Sequence, residues 1–244
     1  AASCVPATVS AFVIRARAAD THDAAGWYGK LAMLGDFAQR RLPHDLVQRC
    51  DAWMSRAMEG SRQVLGAGWL ETYLNAPVLR FGLAPGVHDA HWWFGTLMPS
   101  CDQVGRYFPL LVVQRRSRAP ADGIALDHLE LWFEHLTQAS LRTLRDGSTL
   151  ADFEAALHDT PPWPTPAGSA PMVSRPGAAL ERWRLGPAPS LHQAMNALAT
   201  QGLLERLAGH SLWWRPADDG LDPTLSLVAG LPDATAFAAM LSGR

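Results

Sequence analysis

Two short stretches hold most of the polar side chains whose types and spacing could do chemistry. In PSCDQVGRYFPL, residues 99–110, a polar turn with Ser100, Asp102, Gly105 and Arg106 separates two apolar runs. Loops at strand ends are where α/β proteins display functional groups. A serine nucleophile needs a base to take its proton, and no histidine lies near Ser100 in sequence. The strand-turn-helix elbow GxSxG is also missing. A hydrolase using Ser100 and Asp102 therefore requires a triad assembled from distant parts of the chain. The plainer reading is an Asp102–Arg106 pair that tightens the turn.

The second stretch, GWYGKLAMLGDF at residues 26–37, concentrates Gly26, Gly29, Gly35, Lys30 and Asp36. Such glycine density marks tight turns or close backbone approach. A phosphate loop would need a wider glycine spacing and a Ser or Thr after the lysine, whereas Leu31 follows Lys30. The expectation is that the glycines turn the chain and Asp36 caps a backbone turn. His88, Asp89 and His91 are metal-ligand types, but a strand starting near His91 would send neighbouring side chains to opposite faces. They are expected to be loop histidines rather than a metal site. His128 and His135 fall on one face of a helix and are expected to face solvent.

The elements that must position these groups are readable from periodicity. WYGKL forms a short strand and GDF its turn into the next segment. Pro43 opens a helix whose core side carries Leu46, Cys50, Trp53, Ala57 and Val64. A shorter helix covers Trp69 to Leu74. Strands are expected at Val78 to Leu83, His91 to Met98 and Tyr107 to Arg115. The run WWFGTLM is apolar on both alternating faces, which requires cover above and below the sheet. A long helix, Leu126 to Arg145, presents Leu129, Trp132, Phe133, Leu136 and Leu144, and a second runs from Leu150 to Leu157. Further on, strands are expected at Ala179 to Leu185, Ser211 to Arg215 and Leu225 to Ala229, with helices at Leu191 to Leu207 and Ala234 to Leu241. The fold class is α/β: a layered α/β/α sandwich with a mixed sheet, which the C-terminal strands join or flank.

The chain of 244 residues divides into an N-terminal extension over 1–25, expected to be flexible, and a main α/β domain over 26–159. A Pro-rich loop follows over 160–177, then a C-terminal α/β portion over 178–244. A hydrophobic fraction of 48% with 18% charged residues is ordinary for a folded protein and argues against extended disorder. The net charge of -2 supplies no field that would gather nucleic acid or an acidic membrane. No window approaches the roughly 18 apolar residues of a membrane span. Cys4, Cys50 and Cys101 form an odd, widely spaced set without CxxC, which fits a reducing cytoplasm. Ten Trp residues must mostly pack in a core, the alternative being a sticky docking plate for a partner.

Both stretches resemble the signatures of the TagF/ImpM family of type VI secretion accessory proteins. The first is matched at Gly26 to Leu31, Gly35 to Phe37 and Arg40 to Pro43. The second is matched at Pro99, Ser100, Asp102, Val104 to Arg106 and Phe108 to Leu110. Ser211, Trp213, Trp214 and Gly230 to Pro232 extend the likeness, while Ala32, Cys101 and Gln103 depart from it. The resemblance implies a cytoplasmic, negative, post-translational regulator of secretion. Its implied partner is the system's forkhead-associated scaffold protein, and in some relatives the domain is fused to a phosphatase. The polar motif residues form no complete catalytic set, so a binding module with no enzymatic activity, cofactor or metal is the leading expectation. The candidate interaction surface is Asp36, Arg40, Ser100, Asp102 and Arg106.

Overall fold

The computed structural model describes residues 24–120, 123–164, 191–217 and 222–243. The N-terminal extension up to residue 23, most of the Pro-rich segment and the strand expected at Ala179 to Leu185 lie outside the described residues.

The elements run β1 (Gly26–Gly29), β2 (Ala38–Arg40), α1 (His44–Leu65), α2 (Trp69–Asn75), β3 (Leu79–Leu83), β4 (Trp92–Met98) and β5 (Leu110–Arg116). They continue with α3 (Gly123–Arg142), α4 (Leu150–His158), α5 (Leu191–Arg206), β6 (His210–Arg215), β7 (Thr224–Ala229) and α6 (Ala234–Ser242). The described strands form a seven-stranded sheet in the order β2-β1-β5-β4-β3-β6-β7. The C-terminal strands thus join the main sheet through β3 and β6, Phe81 standing opposite Trp213.

Every pairing is antiparallel, where a mixed sheet was expected from the sequence. The connections explain four of the six pairings: β1 to β2, β3 to β4, β4 to β5 and β6 to β7 follow one another with no helix among the described residues between them, and such links reverse the chain, whereas β1–β5 and β3–β6 are closed over longer stretches. Among the described residues the helices enter between β2 and β3, between β5 and β6 and after β7.

The sheet separates two cores. On one face α1, α2 and α6 contribute Leu46, Trp53, Met54, Trp69, Tyr73 and Phe237 against Phe81, Trp93 and Trp213. On the other, Leu129, Trp132, Phe133, Phe153 and Leu157 of α3 and α4 pack on Trp27, Phe94 and Val112. All seven residues of β4 are buried, as a strand covered on both faces must be. Each Trp among the described residues is buried or half-buried, so the docking-plate reading has no exposed indole there to build on. Trp53 also donates its indole N–H to the Pro232 carbonyl at 2.8 Å, tying α1 to the C-terminal loop. Burial pushes the Cys50 thiol up to about 12, which keeps it neutral among its apolar neighbours.

Three expectations on the helices change. Val64 is exposed at the end of α1. Leu144 is exposed because α3 stops at Arg142. His135 is half-buried, with Nε2 on the Ala156 carbonyl at 2.7 Å, because α4 folds back against α3.

Candidate functional site

β1 ends at Gly29, where φ is 135° and an added Cβ would lie 2.1 Å from the Pro109 carbonyl oxygen. That close approach presses the first motif against the second and leaves Lys30 pointing inward. Past β4, the chain from Pro99 to Pro109 folds into a loop closed by a bridge between Cys101 and Tyr107. The Ser100 hydroxyl donates to the Lys30 carbonyl at 2.8 Å. The Ser100 amide donates to the Tyr73 hydroxyl, which donates back to the Ser100 carbonyl, both at 2.9 Å. Ser100 is buried and its proton is committed to this brace, so the hydrolase reading loses the nucleophile it requires.

Asp102 is the hub of the loop. Its Oδ1 accepts from the amides of Val104 at 3.1 Å and Arg106 at 2.9 Å, an Asx-type turn completed by Gly105 at φ 79°. Its Oδ2 receives Lys30 Nζ and Arg106 Nε, each at 2.6 Å. The Lys30 and Asp102 side chains are only 5% and 0% exposed. Burial by itself would raise the Asp102 carboxyl, but the bonds from Lys30 and Arg106 outweigh it and hold the group well below the usual carboxylate range. Lys30 Nζ also lies 4.7 Å from the centre of the Phe37 ring.

Two further bonds fasten the first motif's loop to the second. The Gln103 amide donates to the Leu34 carbonyl at 2.9 Å, and Arg106 Nη2 donates to the Gly35 carbonyl at 2.7 Å. Phe37 packs on Phe108 at 4.8 Å between ring centres and on Tyr28 at 6.0 Å. Tyr28 in turn donates to Asp51 on α1. The outcome is a stiff double loop whose outer surface shows Asp36, Phe37, Val104 and Arg106. Phe37 is 44% exposed and Val104 70%.

The five residues expected to form one surface therefore separate. Asp36 and Arg106 share the outer surface, 3.9 Å apart at their nearest charged atoms. Ser100 and Asp102 lie beneath it as supports. Arg40 turns to Glu154 of α4, at 3.6 Å, beside Arg41 and the indole N–H of Trp27, which bond the same carboxylate. Sequence reasoning missed Phe37 and Val104 as exposed apolar groups, and it missed Lys30 as the buried cation. The signal available for Lys30 was its being the one lysine in a chain rich in arginine.

The histidine loop is held by separate partners. His88 Nε2 is 3.4 Å from Asp45 of α1, and His91 Nδ1 is 3.3 Å from Asp89. Among the described residues no three His, Cys, Asp or Glu side chains converge for a metal ion. No helix among them is long and apolar enough to cross a membrane.

Comparison with known proteins follows the same two motifs. The family model described as TagF N-terminal domain, type VI secretion system-associated, matches residues 26–160. A crystal structure of PA0076 from Pseudomonas aeruginosa PAO1 is similar at 36% identity and a TM-score of 0.72, over 91% of this chain and 95% of that one. No curated protein matches. The family match spans both signature loops and strands β1 to β5, which carry them, and the chain belongs to the TagF N-terminal domain family, associated with type VI secretion systems.

Proposed function

We propose that this chain is a cytoplasmic regulator, without enzymatic activity, that restrains a type VI secretion system after translation by binding another protein. The observation that carries the reading is the double loop. Two apolar side chains, Phe37 and Val104, stand exposed beside the opposite charges of Asp36 and Arg106. A buried ion pair beneath them fixes their geometry. Holding such groups rigid reduces the conformational entropy lost when a partner docks. Ser100 and Asp102, the residues a hydrolase would use, are bonded into this support, which favours the binding reading. The partner proposed is the forkhead-associated scaffold protein of the same secretion system, as the family resemblance implies.

The test is a pull-down of that scaffold protein with the parent chain and with Asp36→Ala, Arg106→Ala and Val104→Asp variants, alongside effector secretion in cells. Loss of capture by Val104→Asp, with release of secretion, is the expected result. Variants that all bind and restrain like the parent would remove the double loop from the interface. Secretion abolished by deleting the gene would overturn restraint itself.

A further inference from the structure

The two edges of the sheet differ in kind. β2 spans three residues, ends at Arg40 and is followed by Arg41 in a left-handed conformation at φ 59°, which stops the strand. Short length and positive charge are the usual guards of an edge. β7 has neither. It runs six residues, TLSLVA, without a charge or a proline, and pairs on one side with β6 from Arg215–Thr224 to His210–Ala229. Among the described residues no strand pairs with its other side, so half of its backbone N–H and C=O groups point outward.

The side chains along this edge have a pattern of their own. Leu225 and Leu227 are 69% and 46% exposed and project to the same face, two residues apart. Their cross-strand neighbours, Trp214 and Leu212, pack against the core under α3. A strand added beside β7 would extend that apolar layer. Leu225-Ser226-Leu227 also reads the same in both directions. An antiparallel copy centred on Ser226 places each Leu225 opposite the other chain's Leu227, and residues directly opposite share a face. An uncharged strand selects no charged partner, whereas its own copy matches it in backbone and side chains together.

We propose that two copies of this chain associate through β7, antiparallel and edge to edge, about a twofold axis at Ser226. The pairing is isologous and closed, so it ends at a dimer and makes one continuous sheet across both subunits. It is independent of the double loop, which lies at the β1–β5 side of the sheet.

Mass measurement of the full chain by sedimentation or light scattering tests it. A species near twice the 26.5 kDa chain mass is expected. Leu227→Lys should return a folded monomer with the parent's circular dichroism spectrum, whose melting temperature no longer rises with protein concentration as the parent's does. Ser226→Cys should form a disulfide-linked dimer under mild oxidation well above the parent's background. Leu225→Cys should not, because opposite residues sit about 5 Å apart while copies of residue 225 are offset along the strands. A parent that stays monomeric up to about 100 µM, where even weak specific interfaces associate, overturns the proposal. So does a dimer that survives Leu227→Lys, or a Ser226→Cys variant that cross-links no better than Leu225→Cys.

Discussion

Lys30 and Asp102, separated by 72 residues in sequence, meet at 2.6 Å with both side chains withdrawn from water. A buried pair of this kind adds little net stability over an apolar pair, because removing two charges from water costs most of what their attraction returns. Breaking it is another matter. Its role is to fix one arrangement of two loops, and it does so together with Arg106, which reaches both the carboxylate and the Gly35 carbonyl.

Lys30→Met is expected to cost about 3 kcal/mol, the low end for removing one member of a buried pair, since Arg106 still faces the carboxylate. Asp102→Asn keeps an oxygen for the Val104 and Arg106 amides and removes the charge. It should therefore do much less harm in the Lys30→Met background than in the parent. Denaturant unfolding of both single variants and the double variant measures this coupling. Additivity within about 0.5 kcal/mol would mean that the two groups do not interact.

The same carboxylate sets a pH dependence. Asp102 is depressed by its donors against the opposing effect of burial, and Glu154 is lowered likewise by Arg41 and Trp27. A depressed carboxyl stabilises the fold fully above its unfolded value, near 4, and loses that contribution as pH falls toward its folded value. The melting temperature of the parent should thus drop steeply below about pH 4. Asp102→Asn should melt lower at neutral pH and show a shallower acid limb. Parallel curves for the two proteins would count against the assignment.

Two glycines of one motif should respond very unequally. Gly29→Ala must place a Cβ 2.1 Å from the Pro109 carbonyl oxygen at a φ of 135°. Strain and overlap together should cost about 3 kcal/mol or more, seen as a large fall in melting temperature. At Gly35 an added Cβ meets nothing within 4 Å, so Gly35→Ala should stay within about 0.5 kcal/mol of the parent. Equal losses at both sites would show that the motif does not act through the β1–β5 contact.

Local sequence carried a good deal of this molecule. The helical spacing of Leu46, Cys50 and Trp53 marked the buried face of α1, and unbroken apolarity marked β4 as covered on both sides. The two glycine-shaped motifs were sufficient to indicate the family to which the chain belongs. Side-chain periodicity and composition are properties of neighbours along the chain, so one sequence displays them. β2 escaped because three residues, Ala38–Arg40, are too few for a period to show. The tertiary structure alone decided the rest. Strand direction follows from how connections close in space, which made the sheet antiparallel. The exposure of a polar loop residue depends on what lies across from it. Arg40 found Glu154, Asp102 found Lys30, and Ser100 found the Lys30 carbonyl, leaving Asp36, Phe37, Val104 and Arg106 outside. Contacts between residues so far apart in sequence form only once the sheet brings β1 and β5 together, and no local pattern encodes them.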